Sequence, residues 1–560
     1  MKTPFLKRKR GFFIGLKSMT KIQLIECFHQ YRWAEIWQQV RSDADDDFFI
    51  VLRACLLAAW WQEPEEAEKL LTHITPQNTS ELIFFIALTK TCLGDAKDAP
   101  RAINALKESN APRWMGEWLA LEYAGRTADY IGQARMLTKI MKQKMSPVDW
   151  CYVACLQSLE NPLADTKPLR KWLGKQSNLS PMAQILGVRI GLYSDESASD
   201  ILHKIPSGSC AYAPALYRLT YLLPRQGLIR ETIQTFDVVA KTGQIDKPLI
   251  GSWLSLCISH ADGWDDFPAR VNYIATLVPA NLRMHGVISS YLLIHHWVNG
   301  CYKEAYELVK RFHGFLDLQP NDSDRMNSIF FRYILNLAVA WQQNAELYNQ
   351  TNANSSLTVI GESHSLSSSN TNFDWKNARI KATSRFVMGV KMHHLSSSAT
   401  NTFKKCVEAH IESTPYTHHL LFTIGEIDCR PDEGIWQVHQ KKGIPLVTLI
   451  KDTVNGYLQE LTKLLANKPY ASITLQGIPA PGYKLEGKND PGDKAEFLNM
   501  IRDVNGELKL GAFQRGWSFL DVYSATTTEE GLGNGDWHLD AYHLKPVFYT
   551  QAEKWLLTSN

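Results

Sequence analysis

Residues 357–370 read LTVIGESHSLSSSN and follow a polar stretch, QQNAELYNQTNANSS. An apolar, β-branched run that ends in glycine predicts a buried strand that stops at a turn. Four further runs of this kind are separated by helical patterns: SRFVMGV (384–390), HLLFTIG (419–425), ASITLQGI (471–478) and SFLDVY (518–523). Strands that alternate with helices predict an α/β fold with a parallel sheet. Ligands bind such sheets beyond the carboxyl ends of the strands, so Ser363 is expected at a ligand crevice.

The chain from about residue 20 to 345 has a different pattern. Apolar residues at i, i+3 and i+4, as in ELIFFIALTKTCLG and NSIFFRYILNLAVAWQQ, predict helices throughout. Turn residues recur at spacings near multiples of ~34 residues, and they are Gln62, Gly94, Gly125, Gly227 and Gly300. An alanine stands five positions after the first, second and last of these. The pattern resembles a degenerate tetratricopeptide array, although another α-solenoid or an irregular helical bundle would also fit it.

These patterns predict a multidomain protein, because 560 residues are too many for one hydrophobic core. We expect an N-terminal all-α helical-repeat domain and a C-terminal three-layer α/β domain. The predicted boundaries are a basic N-terminal segment (1–19), the tetratricopeptide-like repeats (20–345), a polar linker (346–356) and the α/β domain (357–560).

Composition narrows the class of partners. The net charge of +3 gives no reason to expect nucleic acid as a partner. The apolar run FFIGL in the basic N-terminal segment is shorter than the ~7–15 residues of a signal-peptide core. No apolar stretch approaches the ~18 residues of a membrane span, so stable membrane insertion is not expected. The ten cysteines are scattered and form no paired motif, so we expect them to be reduced thiols. Reduced thiols favour a cytoplasmic location.

Three short motifs at the predicted strand ends, and one in the loop before a predicted last helix (PVFYTQAEKWLL, 546–557), resemble the blocks of SGNH/GDSL-type hydrolases. This is a flavodoxin-like α/β family that cleaves or transfers acyl esters. Gly361-Glu362-Ser363 matches the first block, with Glu in place of Asp. Gly389 falls at the glycine after the second predicted strand, and Asp540-Ala541-Tyr542-His543 matches the last block. The third block departs, because GEIDCR (425–430) carries Ile427 where the family has asparagine. This variety resembles uncharacterised bacterial proteins of the same type, and the resemblance covers about 200 residues.

The resemblance implies a catalytic triad. Ser363 would be the nucleophile, His543 its general base, and Asp540 the group that orients the imidazole. The backbone N–H groups of Ser363 and Gly389 would form the oxyanion hole. In the alternative interpretation Ser363 only caps the next helical turn. D-x-x-H is a weak signal by itself, since Asp200 and His203 also fit it within the helical part.

Other polar residues at the strand ends are candidates for substrate binding. They are His364, Glu426, Asp428 and Arg430. For His364 a packing role is the alternative, and for Glu426 with Arg430 an internal ion pair. Asp536, His538 and Asp540 have metal-ligand chemistry, but no fourth ligand is evident, so neither a metal nor another cofactor is expected. The loops LSSSNTN (366–372) and LSSSATN (395–401) could contact a carbohydrate or simply be solvated.

The sequence therefore predicts a serine esterase or O-acyltransferase that acts on an acylated carbohydrate. The helical repeats would bind a protein partner or a polymer. The alternative is a non-catalytic repeat scaffold or glycan-binding protein whose SGNH-like domain is inactive.

Overall fold

Seven strands form one sheet in the C-terminal part of the computed structural model. They are β1 (Ser355–Gly361), β2 (Asn372–Trp375), β3 (Ala378–Phe386), β4 (His419–Thr423), β5 (Ser472–Gln476), β6 (Ser518–Leu520) and β7 (Leu556–Leu557). Their order across the sheet is β2-β3-β1-β4-β5-β6-β7. The structure describes residues 19–558 except 30–31, 42–45, 75–78, 130, 134, 137–166, 177–178, 208, 210, 244, 261–262, 265, 320–323 and 350–352.

The sheet is mixed, so the prediction of a parallel sheet is wrong at its edges. β3, β1, β4, β5 and β6 run parallel, whereas β2 and β7 pair antiparallel with β3 and β6. β2 and β3 form a hairpin whose two loop residues, Lys376 and Asn377, both have positive φ (50° and 64°). A two-residue loop with both φ values positive matches the twist of adjacent strands. Such positions usually hold glycine, asparagine or aspartate. Because Lys376 occupies the first of them, the turn residues do not predict this hairpin.

The five parallel strands stand in the order second, first, third, fourth, fifth along the chain. This order is one of the common doubly wound arrangements, and its ligand crevice lies where the order reverses. Here that point is between the carboxyl ends of β1 and β4, where Gly361 pairs with Thr423.

The sheet is buried on both faces. In β1, Leu357, Val359 and Ile360 are fully buried, and Thr358 is nearly so. Leu357 and Val359 pack in a cluster with residues of the C-terminal segment, including Phe548 and Tyr549. Alternate residues of a strand face opposite sides, so the buried Thr358 and Ile360 show that the other face is covered as well. The C-terminal segment, Pro546–Trp555, is a 3-10 helix, whereas its sequence predicts a last α-helix.

The chain forms two compact units, residues 1–219 with 237–247 and residues 220–236 with 248–560. Helices of the first unit include Lys21–His29, Trp33–Val40, Asp47–Ala59, Pro64–Leu71, Ser80–Cys92, Ala99–Glu108, Arg113–Arg126, Lys167–Leu173, Pro181–Arg189 and Asp195–His203. Helices Tyr212–Leu222, Ile229–Thr242 and Lys247–Ser259 have residues in both. The second unit adds Phe267–Leu277, Leu282–Val298, Tyr302–Arg311, Arg325–Gln343, Glu346–Asn349, Met392–Ser396, Thr402–Glu412, Gly434–Lys442, Leu446–Leu465, Lys494–Phe513 and Val522–Thr526. The coarse prediction of an α-rich part followed by an α/β part is confirmed.

The division into units differs from the predicted boundary at 346–356. Helices Leu282–Val298 and Arg325–Gln343 belong to the same unit as the sheet, and the first of them contacts β3. The predicted linker contains the helix Glu346–Asn349, and its Leu347 carbonyl accepts a hydrogen bond from Asn372 of β2 (3.1 Å). Residues 350–352 of the linker and residues 1–18 of the basic segment lie outside the described residues.

Four of the five predicted turn residues of the helical part lie in left-handed turns. Gln62, Gly94, Gly227 and Gly300 all have positive φ, between 53° and 90°. Gly125 instead lies inside the helix Arg113–Arg126, and the left-handed position falls three residues later. The three alanines at the repeated offset, Ala67, Ala99 and Ala305, are at most 1% exposed, as close helix packing requires. None of the helices in the described part combines the length and apolar character needed to cross a bilayer.

Substituting Gly361 with alanine is expected to destabilise the second unit by about 3 kcal/mol. A Cβ at this position would lie 2.1 Å from Thr423 Oγ1 and 2.5 Å from the Thr423 carbonyl oxygen, so backbone must move. The control is Gly506→Ala in the exposed face of the helix Lys494–Phe513, where a Cβ meets nothing within 4 Å. That change should stabilise by about 1 kcal/mol. Urea unfolding measures both, and equal effects would contradict the close approach of β1 to β4.

Candidate active site

Ser363 lies in the first turn beyond the carboxyl end of β1. It begins a 3-10 turn, Ser363–Leu366, whose cap is the carboxylate of Glu362. This carboxylate accepts the backbone N–H of His364 at 3.2 Å. The alternative interpretation, in which Ser363 itself supplies the cap, is therefore wrong.

The structure brings Ser363, His543 and Asp540 together. Ser363 Oγ lies 2.8 Å from His543 Nε2, and His543 Nδ1 lies 2.9 Å from both carboxylate oxygens of Asp540. Ser363 is 8% exposed and His543 3%. These distances are those of hydrogen bonds in a serine–imidazole–carboxylate relay.

Asp540 organises the loop that carries His543. One of its oxygens accepts the backbone N–H groups of Tyr542 and His543, each at 2.9 Å, in addition to its contact with the imidazole. Burial would raise the pKa of Asp540, but the His543 ring and these two N–H groups outweigh burial and hold that pKa below its usual range. A spacing of three residues thus lets one carboxylate fix both the loop and the ring.

A second carboxylate–imidazole pair lies on the other side of Ser363. Glu362 Oε2 is 2.6 Å from Ser363 Oγ, and Glu362 Oε1 is 2.6 Å from His364 Nδ1. His364 Nε2 lies 3.0 Å from the carbonyl oxygen of Tyr542. A carbonyl oxygen and an ionised carboxylate only accept hydrogen bonds, so both ring nitrogens of His364 donate and the ring is an imidazolium. Sequence reasoning proposed a substrate contact for His364; the structure places it in this buried pair.

The ionisation of this pair is shifted in opposite directions. Burial opposes both charges, yet the Glu362 carboxylate holds the pKa of His364 above its usual value. In return, His364 and the Ser363 hydroxyl hold the pKa of Glu362 below its usual value. Glu362 is 1% exposed and His364 2%, so each charge depends on the other.

Ser363 Oγ has one proton and two acceptors within reach. If the hydroxyl donates to His543 Nε2, the imidazole is set to act as a base. If it donates to Glu362 instead, His543 must supply a proton to the same oxygen. Because an ionised Glu362 carries no proton, the 2.6 Å contact with its Oε2 favours the second arrangement at rest. A nucleophilic serine requires the first arrangement, so the hydroxyl must turn from Glu362 to His543 Nε2 before it attacks.

Gly389 lies in the turn after β3, with a φ of 70°. Asp428 anchors the chain just beyond it, since its two oxygens accept the N–H groups of Met392 (2.7 Å) and His393 (3.1 Å). Burial raises the pKa of Asp428 to about 7 despite these two hydrogen bonds. Asp428, a candidate for substrate binding, is therefore occupied with holding the loop that carries Gly389. Ile427, which follows Glu426 in the same turn, is 9% exposed.

Glu426 and Arg430 form a bidentate ion pair. Arg430 Nε lies 3.0 Å from both oxygens of Glu426, and Nη2 lies 2.6 Å from one of them. The guanidinium also stands 4.6 Å from the centre of the Tyr542 ring and 3.4 Å, through Nη1, from Glu433. The charge of Arg430 is thus balanced within the protein. Glu426 and Tyr542 line a small pocket together with Tyr483, whose ring is 5.1 Å from that of Tyr542.

Sequence reasoning missed Tyr333, which lies on the helix Arg325–Gln343. Its ring stacks on the His543 imidazole, with 3.7 Å between centroids and 15° between planes. Its hydroxyl donates to the Ser363 carbonyl oxygen at 3.1 Å. A buried tyrosine in a helical pattern looks like any core residue, so no motif could have identified it.

The polar loop at 366–372 is buried, which differs from both interpretations of it. Ser367, Ser368, Ser369 and Thr371 are fully buried. Helix Leu282–Val298 satisfies part of its backbone and side chains, through Trp297 Nε1 to the Leu366 carbonyl (2.9 Å) and Asn370 Nδ2 to the Val298 carbonyl (2.9 Å). The second loop, 395–401, is largely exposed or half-buried.

Residues with metal-ligand chemistry near Asp540 have other partners. His538 Nε2 lies 2.9 Å from the carbonyl oxygen of Ala480, and Asp540 is engaged with His543. Asp200 and His203, the second D-x-x-H match, lie in the helix Asp195–His203, where His203 Nδ1 contacts the Ser199 carbonyl.

No protein-family model, curated protein or solved structure matches this chain significantly.

Replacing Glu362 with glutamine should lower the free energy of unfolding by about 3 kcal/mol near pH 6, because it breaks a buried ion pair. The lowered pKa of Glu362 makes its contribution present above the unfolded-state pKa and lost as the pH falls. The raised pKa of His364 makes its contribution fully present below the unfolded-state pKa and lost as the pH rises through the folded-state pKa of about 9. The difference between wild type and variant should therefore shrink toward both extremes of pH.

The control is Glu486→Gln, since Glu486 forms an exposed pair with Lys484 at 3.6 Å. It should change stability by less than about 0.5 kcal/mol. Urea unfolding between pH 3 and pH 10 gives both curves. A difference for Glu362→Gln that stays constant across this range would contradict the buried pair.

Proposed function

We propose that this chain is a serine esterase or O-acyltransferase of SGNH type that acts on an acylated carbohydrate. The observation that carries the proposal is the continuous contact from Ser363 Oγ to His543 Nε2 and from His543 Nδ1 to Asp540. Serine is a poor nucleophile unless an adjacent base takes its proton, and this arrangement supplies that base and its orienting carboxylate.

In the proposed reaction, His543 takes the proton of Ser363 as Oγ attacks the carbonyl carbon of the ester. Asp540 holds the imidazole in the required tautomer and stabilises its protonated form. Collapse of the tetrahedral intermediate leaves an acyl-serine, and His543 returns the proton to the departing alcohol. Water or a sugar hydroxyl then takes the acyl group by the same steps in reverse.

Two backbone N–H groups are candidates for stabilising the oxyanion, those of Ser363 and Gly389. Among the described residues neither N–H donates a hydrogen bond elsewhere, so both are free to face substrate. The third donor of the family is missing because Ile427 replaces asparagine, and one lost donor costs about 10²–10³ in rate. Arg430 does not replace it readily, since Glu426 holds its guanidinium.

The order of the parallel strands supports the resemblance to the SGNH family, whose fold is flavodoxin-like. The left-handed turns and buried alanines of the helical part support a tetratricopeptide-like array. Because such arrays bind partner proteins, we propose that the helical part of this chain binds one too. We also propose that the protein acts in the cytoplasm. For the carbohydrate, the paired rings of Tyr483 and Tyr542 beside the site offer aromatic faces with polar hydroxyls.

The second candidate is a glycan-binding protein without turnover. The observation that favours it is Ile427, since an inactive relative has no need of the oxyanion donor. The intact contacts of Ser363, His543 and Asp540 favour the enzyme.

A fluorophosphonate probe tests the proposal, because it reacts with serine hydroxyls that an adjacent base activates. The wild-type protein should be labelled at Ser363, and Ser363→Ala should not be labelled. His543→Ala should slow labelling by at least about 1,000-fold.

The matched control is His203→Ala, which removes the histidine of the second D-x-x-H match and should leave the labelling rate unchanged. Peptide mapping by mass spectrometry identifies the modified serine. A wild-type protein that resists the probe would favour the glycan-binding candidate, and labelling that survives Ser363→Ala would refute the triad.

A further inference from the structure

The helix Arg325–Gln343 places Tyr333 against the face of the His543 imidazole. The rings are nearly parallel, at 15°, with 3.7 Å between their centroids. Tyr333 is 1% exposed. The helix is fixed in turn by a buried ion pair at its start, Arg283 with Asp324 (2.9 Å), and by Asn327, which donates to Ser290 Oγ at 2.8 Å.

The phenol hydroxyl ties the same ring to the nucleophile. It donates to the carbonyl oxygen of Ser363 at 3.1 Å and lies 2.8 Å from Ser367 Oγ. Because its proton goes to the carbonyl oxygen, which can only accept, the Ser367 hydroxyl donates to the phenol oxygen. Burial holds the pKa of Tyr333 well above its usual value. The ring is therefore a neutral phenol, anchored at its hydroxyl.

The imidazole needs such a contact because its hydrogen bonds restrain one motion only weakly. Ser363 and Asp540 hold Nε2 and Nδ1, the two ring atoms that flank Cε1. These hydrogen bonds lie in the ring plane, so they restrain movement within that plane more strongly than tilting out of it. A flat surface against one face opposes this tilting. The ring of His364 is 5.1 Å from that of His543 and tilted by 44°, so it does not stack on it.

We propose that Tyr333 is a positioning residue that sets the plane of the His543 imidazole for proton transfer with Ser363. The inference rests on the proposed function, and it makes a helix outside the α/β part a component of the active site. The aromatic face also favours the imidazolium that forms when His543 takes the serine proton. Tyr333 itself exchanges no proton.

The test compares three variants of the full chain. Tyr333→Leu removes the ring, and Tyr333→Phe keeps the ring but removes the hydroxyl. Phe331→Leu is the matched control, because Phe331 is a fully buried ring on the same helix that packs against Phe315 rather than against the imidazole. Circular dichroism and the final labelled fraction establish how much of each variant is folded.

The first measurement is the rate at which diethylpyrocarbonate modifies His543, followed by peptide mapping, and it requires no catalysis. Tyr333→Leu should raise this rate several-fold, whereas Phe331→Leu should leave it unchanged. The second measurement separates the maximal rate of fluorophosphonate labelling from the apparent affinity for the probe. Tyr333→Leu should lower the maximal rate by about 10–100-fold at unchanged affinity, as expected for a misplaced base. Tyr333→Phe and Phe331→Leu should stay within about threefold of wild type.

Equal effects of Tyr333→Leu and Phe331→Leu would overturn the inference, because a general loss of packing would then explain both. A loss in Tyr333→Phe as large as in Tyr333→Leu would also overturn it, since the hydroxyl rather than the ring would be responsible. A wild-type protein that resists the probe refutes the proposed function instead. In that case the modification rate of His543 decides by itself whether Tyr333 holds the ring.

Discussion

The hydrogen bond between Ser363 Oγ and His543 Nε2 joins parts of the chain that are 180 residues apart. Both groups are buried, and so is the carboxylate of Glu362, whereas the Asp540 side chain is 23% exposed. A buried charge without a partner is costly, so the arrangement depends on the imidazole that each carboxylate faces. Asp540 faces His543, and Glu362 faces His364. The contact of His364 with the Tyr542 carbonyl oxygen joins the two carboxylate–imidazole pairs, because Tyr542 lies in the same loop as Asp540 and His543.

Helices and sheet complete one site together. The loop after β1 is rich in hydroxyls, yet it is buried, and its polar groups need partners that water would otherwise supply. Trp297 and Tyr333, on two different helices, provide some of them. The same tyrosine then lies against the imidazole. The burial of the polar loop and the stacking of Tyr333 on His543 are therefore consequences of one packing arrangement.

Much of this could be predicted from local pattern. The strand β1 is apolar and β-branched, and the turn after it carries Ser363 at the expected place; Asp540 and His543 could be proposed from their position in the last loop. The hairpin of β2 and β3 was missed because Lys376 takes a conformation that usually calls for glycine or asparagine. Glu362 and Tyr333 were missed for another reason. Their importance comes from tertiary neighbours, and no spacing within the sequence records which ring will face which.

The burial of the loop at 366–371 has a consequence for how this chain could be divided or recombined. A fragment that began at β1 would leave hydroxyl and carbonyl groups of this loop facing a vacated surface instead of the helices Leu282–Val298 and Arg325–Gln343. The serines of the loop would then be exposed to water and would lose the contacts that hold the loop in place. The polar stretch before β1 is therefore a poor place to divide the chain. A fragment that is to keep the sheet intact should also include the helical residues from about 280 onward.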